Sequence, residues 1–307
     1  MLDSAPDPPV RLRGEIAAFY VTCLAISWAG MLRWHLPPGY RMGDLTAVRA
    51  AFDDVGVVMV LGPIAAAVLT TLFFRGGRAV LALVRRAVAW RVAPRWYAAA
   101  LLAPVIPQWL ALGAWQAATG AELQPIDLSH AVSAWAYTTV LGALILAGEE
   151  VGWRGFLLPR VQQRVRPLAA ALLVGLLWAL WHFPAWFVAN RAATGSTSLT
   201  LQIVALSTVG TLALSVIVTW IFNAARGSVL LAMLFHGSQN ASMNLIYDVI
   251  GPREVLAARY LAASTLAVTL LAAVIALGNW RRQRPSQYLS SFTSTSSDIA
   301  SGPRFSL

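Results

Sequence analysis

Eight stretches of this chain are apolar for close to twenty residues each, about the length an α-helix needs to cross the ~30 Å hydrocarbon core of a bilayer. They lie near Ile16–Leu32, Val55–Phe74, Tyr97–Ala118, Ala131–Ala147, Leu168–Val188, Leu199–Phe222, Val229–Tyr247 and Val255–Leu277. Backbone inside lipid must satisfy its own hydrogen bonds, which makes helices the solution for such segments. The expected fold class is therefore all-α: a polytopic integral membrane protein with about eight transmembrane helices in one bundle. Composition agrees, with 58% hydrophobic and only 12% charged residues. A transmembrane domain is expected over residues 15–280, between a short N-terminal stretch, 1–14, and a Ser/Thr-rich tail, 281–307, both expected to be disordered. No internal repeat is visible, and no stretch is left for a soluble second domain.

The 23 basic residues are all arginine and give a formal net charge of +10. Such a balance raises the question of nucleic acid, but the arginines fall between apolar blocks and form no base-reading helix, so no nucleic-acid partner is expected. They act as orientation signals instead. With the amino terminus inside, only Arg33, Arg41, Arg49, Arg191, Arg253 and Arg259 fall outside, leaving 17 of the 23 on the inner side. Both termini are thus expected in the cytoplasm, with the Glu149 end of the fourth block at the cytoplasmic face. The first block is expected to be a retained span, since Asp3 and Asp7 precede the arginines and Trp28 and Met31 occupy its far end. Residues 75–95 mix Val80, Leu83, Val84 and Val88 with Arg78, Arg85 and Arg86, the pattern of either an interfacial amphipathic helix or a basic loop that enforces topology. The single cysteine, Cys23, permits no intrachain disulfide and is read as packing.

Chemistry enters at Gly148-Glu149-Glu150-Val151-Gly152-Trp153-Arg154. Adjacent residues on a helix point about 100° apart, whereas Glu150 and Arg154, at i and i+4, share a face. Glu150 therefore has a partner on its own helix. Glu149 must find its partners on other helices, and an ionisable group at membrane depth is a functional-site signal. Two of the four histidines also fall within apolar blocks. His182 follows Trp178 by one turn and precedes Pro184, which frees the Leu180 carbonyl and is expected to kink the helix. His236 shares a stripe with Asn240 and Asn244. Together a glutamate, two histidines and an amide suit water activation and oxyanion stabilisation, and hence peptide-bond hydrolysis. A zinc site built from Glu149, His182 and His236 is the nearest alternative, although no His-Glu-x-x-His helix is present.

At these residues the sequence resembles the CPBP family, the CAAX proteases and bacteriocin-processing enzymes that include the type II CAAX prenyl endopeptidases. Three motifs carry the resemblance in order: Glu149-Glu150-x-x-x-Arg154, an aromatic-x-x-x-His ending at His182, and His236-x-x-x-Asn240. It covers about 138–247, the expected CAAX prenyl protease 2-like core. The resemblance implies an intramembrane glutamic endopeptidase without a catalytic metal, in a plasma membrane expected to be bacterial. Glu149 and His182 would activate water, His236 and Asn240 would hold the oxyanion, and Glu150 with Arg154 would brace the site. Trp178 and Asn244 are expected to support it from behind. The family usually has phenylalanine at the position of Trp178, a change expected to alter packing rather than chemistry. The expected partners are a peptide or lipidated-protein substrate and membrane lipid. From other classes, a proton-coupled transporter or a non-enzymatic immunity-type scaffold competes, since intramembrane Glu and His also build proton relays. Against transport, no paired halves or duplicated broken helices are found.

Overall fold

The computed structural model describes residues 9–31, 57–251 and 254–279. The tail 281–307, the first eight residues, and Arg33, Arg41, Arg49 and Arg253 lie outside the described residues. All described secondary structure is helical: α1 (Pro9–Met31), α2 (Val57–Arg75), α3 (Gly77–Ala87), α4 (Pro94–Leu102), α5 (Val105–Thr119), α6 (Leu128–Ile145), α7 (Ala147–Glu150), a π-helical segment (Val151–Leu157), α8 (Leu158–Gln162), α9 (Pro167–Thr194), α10 (Thr197–Ala224), α11 (Val229–Ile250) and α12 (Glu254–Asn279). This is an all-α integral membrane protein.

Each expected span has a helical counterpart, with differences that have physical causes. Five segments are long and apolar enough to cross a membrane: 94–119, Leu128–Ile145, Pro167–Thr194, Thr197–Ala224 and Ala258–Gly278. The first is two helices, because Pro104, which has no N–H to donate, falls at the junction of α4 and α5. α11 carries His236, Ser238, Gln239, Asn240 and Ser242, too polar for lipid, and most of it is buried within the bundle. α1 begins at Pro9, so helix extends into the stretch expected to be disordered. Residues 77–87 are a helix rather than a loop, with Leu83 buried and Arg78 and Arg85 exposed, as the amphipathic reading requires.

Local chemistry sets the helix ends. Asp127 caps α6 by accepting from the backbone N–H of Ser129 at 2.8 Å and of His130 at 3.2 Å. The Ser129 hydroxyl and these N–H groups hold the Asp127 carboxyl below the usual carboxylate range. Ser196 and Ser228 cap α10 and α11, Pro94 and Pro167 open α4 and α9, and Gly120 and Gly195 close α5 and α9 in the left-handed region.

Small residues let the helices that carry the site approach closely. A Cβ on Gly237 of α11 would lie 2.7 Å from the Ala143 nitrogen of α6, and one on Gly148 would lie 2.6 Å from the Val60 oxygen of α2. At one end of the bundle Glu15 is fully buried and accepts from Arg75 at 2.9 Å and Arg160 at 2.8 Å, joining α1, α2 and α8. These two arginines, expected as orientation signals, also hold helices together. At the opposite end the Gln124 N–H donates to the Val249 carbonyl, tying the α5–α6 turn to the end of α11.

Candidate active site

Helix does not stop at the Glu149-Glu150 pair. It continues through the π-helical segment and α8 to Gln162, and both carboxylates are buried inside the bundle. Glu149 is 3% and Glu150 1% exposed. The π-helical turns widen the helix directly after the two glutamates, a feature often found at functional sites.

Glu150 Oε1 accepts from Arg154 Nη1 at 2.9 Å, as the i,i+4 spacing predicts. Arg154 is fully buried beside Glu150. The same Glu150 oxygen lies 2.9 Å from His236 Nδ1, a contact between α7 and α11 that the sequence did not reveal. Glu149 does find its partner on another helix: Trp178 Nε1 of α9 donates to its Oε2 at 2.8 Å.

Trp178, expected to support the site, contacts the Glu149 carboxylate directly. Phenylalanine there would have no N–H, so tryptophan changes the hydrogen bonding of the central carboxylate as well as its packing. Its ring lies under the Arg154 guanidinium at 4.3 Å and meets the His236 ring edge-on at 5.2 Å. Its carbonyl oxygen lies 3.0 Å from His182 Nδ1. A carbonyl only accepts, so Nδ1 of His182 carries a proton, and when the ring is neutral Nε2 presents a lone pair. The His182 ring is stacked on Trp186 at 4.7 Å and 6°, fixing its plane. α9 runs on through Pro184 without interruption.

Glu149, His182, His236 and Asn240 all line one cavity of about 450 Å³, so the structure brings the four predicted site residues together from α7, α9 and α11. Trp178, Trp181 and Trp186 form part of its wall. Asn244, expected to support the site, is exposed and does not line the cavity. Gln108, Gln239 and Tyr247 do line it and were not singled out. Gln108 carried a usable signal, as one of two amides, with Gln116, in an apolar span; it is 1% exposed. Among the described residues no three of His, Cys, Asp and Glu group closely enough to hold a metal ion.

Chemically the cavity offers a carboxylate, an imidazole with a free lone pair, a second imidazole backed by a carboxylate, and an amide. Residues 128–242, which contain all four groups, match the family described as type II CAAX prenyl endopeptidase Rce1-like. Among curated proteins, the chain is 33% identical over 112 residues to CAAX prenyl protease 2 of Methanococcus maripaludis, covering 36% of this chain and 41% of that protein. It is 25% identical over 224 residues to lysostaphin resistance protein A of Staphylococcus haemolyticus, covering 71% of this chain and 56% of that protein. The chain thus spans less than two thirds of the length of either relative. The matched segment begins at the capped start of α6 and ends in α11 just past Asn240, so it takes in all three motifs and the helices that present them. Through residues 128–242, which present all four of these groups, this membrane protein is similar to the type II CAAX prenyl endopeptidase Rce1-like family.

Proposed function

We propose that the chain is an intramembrane endopeptidase that hydrolyses a peptide bond of a membrane-associated or lipidated substrate. The observation that carries this reading is the convergence of Glu149, His182, His236 and Asn240 on one cavity among membrane helices. In this reading Glu149 and Nε2 of His182 draw a proton from water, which attacks the scissile carbonyl. The Asn240 amide donates to the oxyanion that forms. His236 donates as well when both its ring nitrogens carry protons, with Glu150 Oε1 accepting from Nδ1. The proton taken from water then passes to the leaving amine, so acid and base balance without a bound metal.

The substrate class rests on the cavity wall, where Met59, Val60, Leu146 and three tryptophans favour an apolar or lipid-bearing segment. One relative is named a prenyl protease, which accords with a prenylated peptide. A second reading is a non-enzymatic immunity-type scaffold that binds a partner without hydrolysis; the relative named lysostaphin resistance protein A is not named for a protease. Substrate trapping separates the two. Membranes expressing Glu149→Gln should accumulate uncleaved peptides on the protein that the parent releases as two fragments. Equal retention of intact partner by the parent and by Glu149→Gln, with no fragment from either, would support the scaffold.

A further inference from the structure

A second pocket, of about 210 Å³, shares no lining residue with the catalytic cavity. It lies between the segment that leads into α4 and the end of α10, and its walls include Arg91, Arg95, Trp96, Ala225 and Arg226. Three guanidinium-bearing residues border it, and no carboxylate does. All three arginines are exposed and, among the described residues, none forms an ion pair. Arg91 and Arg95 instead lie over the rings of Trp90 and Trp96, at 5.2 and 5.5 Å. This sets the pocket apart from the buried cluster in the same end of the bundle, where Arg75 and Arg160 both pair with Glu15.

Arg226 adds an independent sign. It is the one non-glycine with positive φ, 56°, among the described residues, a backbone conformation that a residue with a Cβ adopts at a cost. Helix packing alone gives no reason to prefer arginine over glycine there. Like charges gathered without a counter-charge are unfavourable, and an anion between them reverses the sign of that interaction. Guanidinium groups suit phosphate in particular, because their planar forks donate two parallel hydrogen bonds to its oxygens.

Depth in the membrane selects the kind of phosphate. The pocket sits at the ends of two membrane-crossing segments, 94–119 and Thr197–Ala224, where headgroups lie. Trp90 beside it is 63% exposed, and tryptophan favours this interfacial layer. Val84 and Val88, in the preceding turns, are also exposed and offer apolar contact to acyl chains. We propose that Arg91, Arg95 and Arg226 form a binding site for the phosphate of an anionic phospholipid headgroup, separate from the catalytic cavity.

The test uses the full-length protein purified from membranes and placed in nanodiscs of phosphatidylcholine with or without phosphatidylglycerol. Native mass spectrometry on release reads the number of phosphatidylglycerol molecules retained. The parent should keep one that Arg91→Gln with Arg95→Gln loses, with occupancy falling about tenfold or more, since each hydrogen bond to a charged group is worth about 1.5–3 kcal/mol. Arg226→Gly should lose the lipid too while melting no lower than the parent, because glycine relaxes the backbone there. Arg78→Gln with Arg85→Gln, on the exposed face of α3, should retain it. Equal retention by the parent and both pocket variants overturns the proposal. So does displacement by millimolar inorganic phosphate with no dependence on phosphatidylglycerol, which would assign the pocket to a free phosphate instead.

Discussion

The indole N–H of Trp178 donates to Glu149 Oε2 at 2.8 Å, and the same residue's carbonyl accepts from His182 Nδ1 at 3.0 Å. One residue therefore orients both groups proposed to act on the water. It leaves the carboxylate anchored by one oxygen and the imidazole with Nε2 free. Trp178→Phe keeps a ring beneath Arg154 and keeps the backbone carbonyl, but removes the donor to Glu149. Turnover of a quenched-fluorescence peptide in liposomes should fall about tenfold or more, the scale of a hydrogen bond to a charged group, with the melting temperature little changed. Parental turnover in Trp178→Phe would mean that the indole only fills space.

Glu149→Gln keeps the size of the side chain and its capacity to accept from Trp178, yet removes the base. Hydrolysis should be abolished while the protein remains folded and inserted. His182→Ala should match it, and the double variant should be no worse than either single one, because both groups act on one water. Asn240→Ala removes a single oxyanion donor and should slow turnover about 100- to 1,000-fold, leaving measurable activity. Additive losses in the double variant would show that Glu149 and His182 serve different steps. Dialysis against a strong chelator should leave parental turnover intact, whereas loss on chelation and recovery with zinc would restore the metalloprotease alternative.

Much of this site could be read from residue spacing, because its parts obey helical periodicity. The Glu150–Arg154 pair, the separation of Glu149 from it, and the stripe from His236 to Asn240 all follow from 3.6 residues per turn. Contacts between helices could not be read in the same way. Nothing in the spacing says that α11 turns His236 toward Glu150, or that Asn244, two turns beyond His236 on the same stripe, has left the cavity wall. The π-helical segment that follows Glu150 directly is announced by no residue pattern. Spans were legible as apolar blocks, but hydropathy does not mark a break such as the one at Pro104, nor the degree to which α11 is shielded from lipid by its neighbours.

Glu150 is now a matter of stability as well as chemistry. Its side chain is 1% exposed, that of Arg154 is fully buried, and Nε and Nη2 of Arg154 have no hydrogen-bond partner among the described residues, leaving the Nη1 bond to Glu150. Glu150→Gln leaves a buried cation without its counter-charge, a loss of about 3–5 kcal/mol when one partner of a buried pair is removed. Thermal unfolding in detergent should show a clearly lowered midpoint, with lost turnover alongside it. The smaller effect of about 0–1 kcal/mol expected for an exposed pair does not apply at this depth. An unchanged midpoint in Glu150→Gln would contradict the buried ion pair.

Gly237 follows His236 directly and is where α11 presses closest to α6. A Cβ there would stand 2.7 Å from the Ala143 nitrogen and 3.3 Å from its Cα, both backbone atoms that cannot swing aside. Gly237→Ala must therefore separate the two helices, and overpacking of this kind costs about 1–3 kcal/mol. The displacement falls on the residue beside His236, whose Nδ1 sits 2.9 Å from Glu150, so that contact should lengthen and turnover should fall more than the stability loss alone explains. Gly113→Ala in α5 is the matched control. A Cβ there meets nothing within 4 Å, and alanine in a helix interior should stabilise by about 0.5–1 kcal/mol while leaving hydrolysis unchanged. If Gly237→Ala melts and turns over like Gly113→Ala, close approach of α6 and α11 is not what positions His236.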